Sequence, residues 1–260
     1  MNDDEEFKGY KRLQAALMAA AMPYILSSLE SSRAEIREVI KNTLWDLDGS
    51  RQLEPFTRRD EVLISAMALE LFEINESYLS MLDIGVYIRR FPYRDLGISP
   101  VRYLKYHIES YLNEVYIFSE RVKAYLYAIR RRFGKTTFSQ QVDESAKRIE
   151  QSLESSLLTI IKVRGSHVHQ NRFADRGLDR LAFLENLQKQ TDKILDDDRT
   201  KAFSCLFDSS YKENRAKWVK QISENNVAVA HLLDFISDLL YAGLFDSSGN
   251  LKLPSEHLRL

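Results

Sequence analysis

Apolar residues recur at intervals of three and four along most of this chain and almost nowhere at intervals of two. Spacing of that kind gathers side chains on one face of an α-helix, so the pattern predicts helices joined by short connections. The clearest run follows Leu104 with Ile108, Tyr111, Val115, Phe118, Val122, Leu126, Ile129 and Phe133. Ser99 and Pro100 supply an N-cap and a first-turn proline before it, and Gly134 ends it. A second helix carries Ile149, Leu153, Leu157 and Ile160, and a third carries Leu178, Leu181, Leu184, Leu187, Thr191 and Ile194. A fourth runs from about Lys212 through Trp218, Ile222, Val229, Leu232, Leu233, Ile236, Leu239 and Leu240. Four amphipathic helices with short connections make a bundle, and the fold class is all-α.

Upstream, helical patterning extends from about Glu6 to Leu47, with Pro23 as a point of bending, and again from Asp60 to about Arg90. These two regions predict an N-terminal helical module. The strongest break is "FPYRDLGISP" at 91–100, with two prolines and a glycine between periodic segments; a weaker one is "DLDGSRQLEPFTRRD" between the two upstream helices. The expected organisation is a module over 1–97, a bundle over 98–246 and a tail over 247–260.

Composition narrows the class further. Nine glycines and five prolines in 260 residues suit helices, and a 44% hydrophobic content is enough for a sizeable core. The one cysteine, Cys205, forms no internal disulfide, and Asp3, Asp4, Glu5 and Glu6 are the opposite of the positive start of a secretory signal. A reducing, cytoplasmic setting is therefore expected. "LQAALMAAAMPYIL" at 13–26 is too short and too alanine-rich to span a bilayer, so no membrane association is expected. A formal charge of −1 excludes a globally basic nucleic-acid binder and leaves the local distribution to decide.

Locally, basic groups concentrate at Lys162, Arg164, Arg172, Arg176 and Arg180, opposed by Asp175 and Asp179, with His167 and His169 among them. Three chemistries compete for this segment. As metal ligands, an H-x-H pair needs a strand; on a helix the two imidazoles stand about 200° apart. No cysteine or H-E-x-x-H accompanies them, and His107, His231 and His257 stand apart in the sequence, so no metal or other cofactor is expected. "FGKT" at 133–136 has Ile129 where a phosphate-binding loop needs glycine, and it follows a helix instead of a strand. "DDD" at 196–198 reads as a solvated helix end.

Arg164 falls four residues after Ile160 and seven after Leu157, at the end of an apolar stripe. One reading gives it a structural carboxylate partner or a snorkelling path to solvent. The other gives it a phosphate. Arginine offers a fixed fork of donors to phosphate oxygens, and histidine exchanges a proton near neutral pH. Together they suit metal-free RNA cleavage, in which a 2′-OH is deprotonated, the phosphorane is stabilised and the leaving 5′-oxygen is protonated.

The segment "VRGSHVH", closing a bundle helix, resembles the signature of the HEPN (higher eukaryote and prokaryote nucleotide-binding) superfamily, an arginine followed after four to six residues by a histidine. Arg164 and His169 enclose four. The long helix "YLKYHIESYLNEVYIFSERVKAYLYAI" is similar to the first bundle helix of prokaryotic members, and the resemblance covers about residues 100–244. It implies a metal-independent endoribonuclease, a toxin or defence effector, working as a homodimer with the two motifs meeting at the interface. Arg164 would stabilise the transition state and His169 act as general acid/base, with His167 orienting or polarising them. Lys162, Arg172, Arg176 and Arg180 would bind RNA, and the N-terminal module would be the place for an antitoxin or regulatory protein. On an unbroken helix Arg164 and His169 stand about 140° apart, so either Gly165 loosens the turn or the pair acts across the dimer. Active members commonly carry Asn, Asp or His after the arginine, where this chain has Gly165. That departure leaves two readings open: Ser166 or His167 takes over the polar role, or the chain is a non-catalytic helical scaffold that docks RNA or protein.

Overall fold

The computed structural model describes residues 7–31, 59–90, 97–169, 175–191 and 197–252, with backbone alone at 22–31, 59–62, 65, 159, 161–169, 191 and 197. Among these residues are six helices: α1 (Lys8–Ser31), α2 (Arg59–Arg89), α3 (Pro100–Phe133), α4 (Ser139–His169), α5 (Arg176–Thr191) and α6 (Asp197–Leu244). The only β-type pairing among them is one antiparallel bridge, Phe245 with Leu251. The fold is all-α, as the periodicity predicts.

α3 realises its predicted limits, and its start does so for the predicted reason. The Ser99 hydroxyl accepts the Arg102 N–H at 3.1 Å and at the same time donates to Glu185 at 2.6 Å. It therefore caps α3 and fastens α5 with one oxygen. Ile108, Val115, Phe118, Val122, Leu126, Ile129 and Phe133 are all buried. Elsewhere the structure differs from the periodic reading. α6 begins at Asp197 instead of near Lys212, because no glycine or proline interrupts 197–212 and Phe207 and Tyr211 bury one turn apart. α5 buries Leu178, Leu181 and Glu185, with Leu184 and Leu187 only half-buried, since the Glu185 carboxylate is drawn to Ser99. α1 continues through Pro23 as helix; 32–58 lie outside the described residues.

The residues group into two compact units, one of Met1–Glu73, Lys123–Glu150 and Leu233–Leu260, the other of Ile74–Val122 and Gln151–Leu232. In the first, ion pairs tie helix to helix. Arg132 forks onto both oxygens of Glu70 at 2.9 Å, and Arg130 meets Glu150 and Asp143. The start of α1 is held by α6, where Asp234 accepts the Tyr10 N–H at 3.0 Å and Asp238 pairs with Arg12 at 2.5 Å. Gly9 permits that approach, for a Cβ there would stand 2.6 Å from the Asp234 carbonyl oxygen. The C-terminus of α6 is closed by the Lys252 ammonium, which donates to the carbonyls of Ala242 and Gly243 and to Gln141.

The second unit contains a buried relay of neutral hydrogen bonds. The Tyr111 hydroxyl donates to Asn226, whose amide donates to the Met81 carbonyl, and burial raises the Tyr111 phenol pKa. Arg215 closes the end of α2 by donating to the carbonyls of Ile88 and Arg89. α6 is long and apolar enough to cross a membrane by length and composition, but half of its most apolar window is buried inside the protein, as in the core helix of a bundle.

Candidate functional site

α4 remains helical to His169, so Gly165 sits inside regular helix and does not open the turn. The register then follows from helix geometry. Arg164 and His167, three residues apart, stand about 60° from each other, whereas Arg164 and His169 stand about 140° apart. Arg164 also keeps the heptad register of the buried Leu157, while Lys162 shares the position of His169 seven residues on. On the helix backbone, positions 164 and 167 therefore share one side and positions 162 and 169 another. Arg172 lies outside the described residues.

α5 starts two residues after 174, the last position of that gap, with Asp175 as N-cap, its carboxylate accepting the Leu178 N–H at 3.0 Å. Gly177 leaves room for the Asn214 amide, which a Cβ would meet at 2.1 Å. The two acidic residues of this segment are taken up by other helices: Lys217 approaches Asp175 and Lys105 approaches Asp179, each at 3.6 Å. Arg176 and Arg180, one turn apart and both exposed, have no ion-pair partner among the described residues. They remain available to an anion.

His107 does not stand alone. Its ring centre lies 4.2 Å from that of Tyr103, 5.3 Å from Tyr106 and 5.6 Å from Tyr87. The Tyr103 hydroxyl donates to the Tyr87 carbonyl at 3.3 Å, which pins α3 to α2 at this level. Burial lowers the His107 pKa, leaving a neutral imidazole at pH 7, and burial first, with Tyr87 second, raises that of Tyr103. Tyr106 and Tyr87 remain 64% and 48% exposed, so a second molecule can reach their faces. Sequence spacing gives only part of this cluster: Tyr103 and His107 are one turn apart, but Tyr87 enters from another helix.

In the first unit a cleft of about 220 Å³ opens between α1 and α2, lined by Tyr10, Gln14, Leu17, Met18, Leu69 and Phe72. Its walls are apolar, and none of these side chains is a base, a nucleophile or a metal ligand suited to neutral pH. Among the described residues, no three His, Cys, Asp or Glu side chains converge as a metal site. Comparison of the chain with family models, with curated proteins and with solved structures gives no match.

Proposed function

We propose that this chain is a metal-independent endoribonuclease of HEPN type that cleaves RNA at a site shared by two copies, a toxin or phage-defence effector of the cytoplasm. The observation that carries the reading is the concentration of Arg164, His167 and His169 in the last turns of one uninterrupted bundle helix. In the reaction a histidine takes the 2′-OH proton as that oxygen attacks phosphorus. Arg164 stabilises the added charge, and a second histidine protonates the departing 5′-oxygen. The products are a 2′,3′-cyclic phosphate and a 5′-hydroxyl. In this reading His167 serves the arginine of its own chain, and His169, about 140° around the helix from Arg164, serves the partner copy across a two-fold axis. No metal takes part in any step.

Incubating the purified protein with total RNA in EDTA tests this. Fragments ending in 2′,3′-cyclic phosphate, lost in Arg164→Ala and His169→Ala proteins of parental mass and helicity, are the expected result. Intact RNA under all conditions supports the second reading, a non-catalytic RNA- or protein-docking scaffold, which Gly165 in the place of a polar residue favours. A regulatory protein partner belongs with either reading.

A further inference from the structure

The cluster around His107 has no role in the cleavage chemistry above, yet it has the make-up of a base-stacking surface. α2 and α3 run antiparallel here: Tyr87 meets Tyr103 near the connection, while Met81 and Tyr111, further from it, meet through Asn226. The two exposed phenol rings, Tyr87 and Tyr106, lie 5.6 and 5.3 Å from the half-buried His107, the first tilted by 49° and the second edge-on at 80° to the imidazole plane. Helical spacing then fixes the charges. Arg90 is three residues after Tyr87 and Arg102 four before Tyr106, so both exposed guanidiniums fall on the side of the rings nearer the connection. The carboxylates of Asp83 and Glu109 fall one turn away on the other side. A strand laid here has the exposed ring faces for its bases and, among the described residues, Arg90 and Arg102 on the side nearer the connection for its phosphates.

We propose that Tyr87, Tyr106 and His107 form a stacking platform for single-stranded RNA, with Arg90 and Arg102 holding the backbone. Exposed Val86 adds an aliphatic contact beside Tyr87, but it is the two guanidiniums bordering the rings that favour a polyanionic strand as the occupant. The platform rests on the reading of RNA as substrate and deepens it by naming the form of RNA taken: unpaired, since a base inside a duplex has no free face to offer. It acts in binding and touches no reacting atom.

A fluorescent twelve-nucleotide 2′-O-methyl RNA is the probe. It cannot be cleaved through its 2′-oxygen, so binding is read apart from catalysis. By fluorescence anisotropy with the full-length protein, Tyr106→Ala and Tyr87→Ala each weaken binding about five- to a hundredfold, and Tyr106→Phe and Tyr106→Trp restore it. Arg102→Gln reduces the slope of log affinity against log salt by about 0.7. In cleavage of natural RNA, Tyr106→Ala raises KM and leaves kcat as it was. Tyr106 is exposed, so circular dichroism of the variants should match the parent.

Equal affinity of parent and both alanine variants overturns the platform while leaving the nuclease reading to the EDTA assay. Tighter binding of a duplex than of the single strand overturns it as well. A change in dimer mass with unchanged RNA affinity assigns the tyrosines to a contact between copies and ends the proposal. Ring-dependent binding with no cleavage of any RNA supports the platform and removes the nuclease.

Discussion

The two units hold their bonded arginines differently: by carboxylates of neighbouring helices in the first, and by main-chain carbonyls or a serine hydroxyl in the second. In the unit built on Met1–Glu73, Lys123–Glu150 and Leu233–Leu260, the guanidiniums of Arg12, Arg130 and Arg132 are committed to carboxylates of neighbouring helices. In the other unit, the core contains uncharged bonds such as Tyr111 to Asn226, and Arg102, Arg176 and Arg180 reach solvent with no ion-pair partner among the described residues. A paired guanidinium is already satisfied and offers little to a ligand, whereas an unpaired one keeps its donors for an incoming anion. Counting basic residues, or taking a net charge of −1, misses this difference. It is the partner that separates a structural arginine from a binding one.

The largest effect that tests the comparison is catalytic. Arg164→Ala and His169→Ala should each reduce RNA cleavage by roughly 10²- to 10⁴-fold with the melting temperature nearly unchanged. Loss of folding in Arg164→Ala would instead move Arg164 to the structural class. The next largest concerns the helix junction of the first unit. Gly9→Ala sets a methyl against a main-chain oxygen at 2.6 Å, which has no flexible end to move aside. Overpacking of this kind costs about 1–3 kcal/mol and outweighs the gain in helix propensity, a loss that urea unfolding would register.

Smaller effects sharpen the contrast between the two uses of arginine. Arg132→Met leaves Glu70 without its fork and should cost about 1 kcal/mol, discounted because the Glu70 side chain is 36% exposed and screened. Arg176→Gln and Arg180→Gln should alter stability by less than about 0.5 kcal/mol yet weaken RNA binding in a salt-dependent way. Equal destabilisation by all three substitutions would abolish the distinction.

The smallest expected effect is a titration. Because burial lowers the His107 pKa, the folded protein binds a proton here less readily than the unfolded chain. Its contribution is constant well above pH 6.5 and is lost as pH falls from about 6.5 through the folded value. Proton NMR of the imidazole would place its midpoint below about 6.5, and a midpoint above that would contradict the desolvation of the ring.

Legibility in the sequence followed locality. α3 was readable from end to end, because its apolar stripe, Ser99 and Pro100 all act within the helix itself. The face of α5 is legible in part: Leu178 and Leu181 are buried as their spacing predicts, whereas Glu185 is buried through a bond to Ser99 that spans 86 residues. The start of α6 near Asp197 carries a signal that a helix begun at Lys212 leaves out: Phe203, Phe207 and Tyr211 recur every four residues, and the last two are buried. For the candidate site, the Arg164 to His169 motif is local and visible, but whether positions 164 and 167 share a side depends on how far α4 continues. The tyrosines about His107 converge only once α2 lies beside α3, a relation that spacing within either helix does not contain.

The ammonium of Lys252 closes the carbonyls of Ala242 and Gly243 near the end of α6 from ten and nine residues downstream, so reagents that modify amines will act on this helix end as well as on the lysine. Acylating Lys252 with a succinimidyl dye removes its charge and all but one of its donors, and the carbonyls of Ala242 and Gly243 then need water. A label meant as a silent reporter would fray the helix it is attached beside. Labelling at Cys205, which is exposed and far from this closure in sequence, leaves the helix end intact.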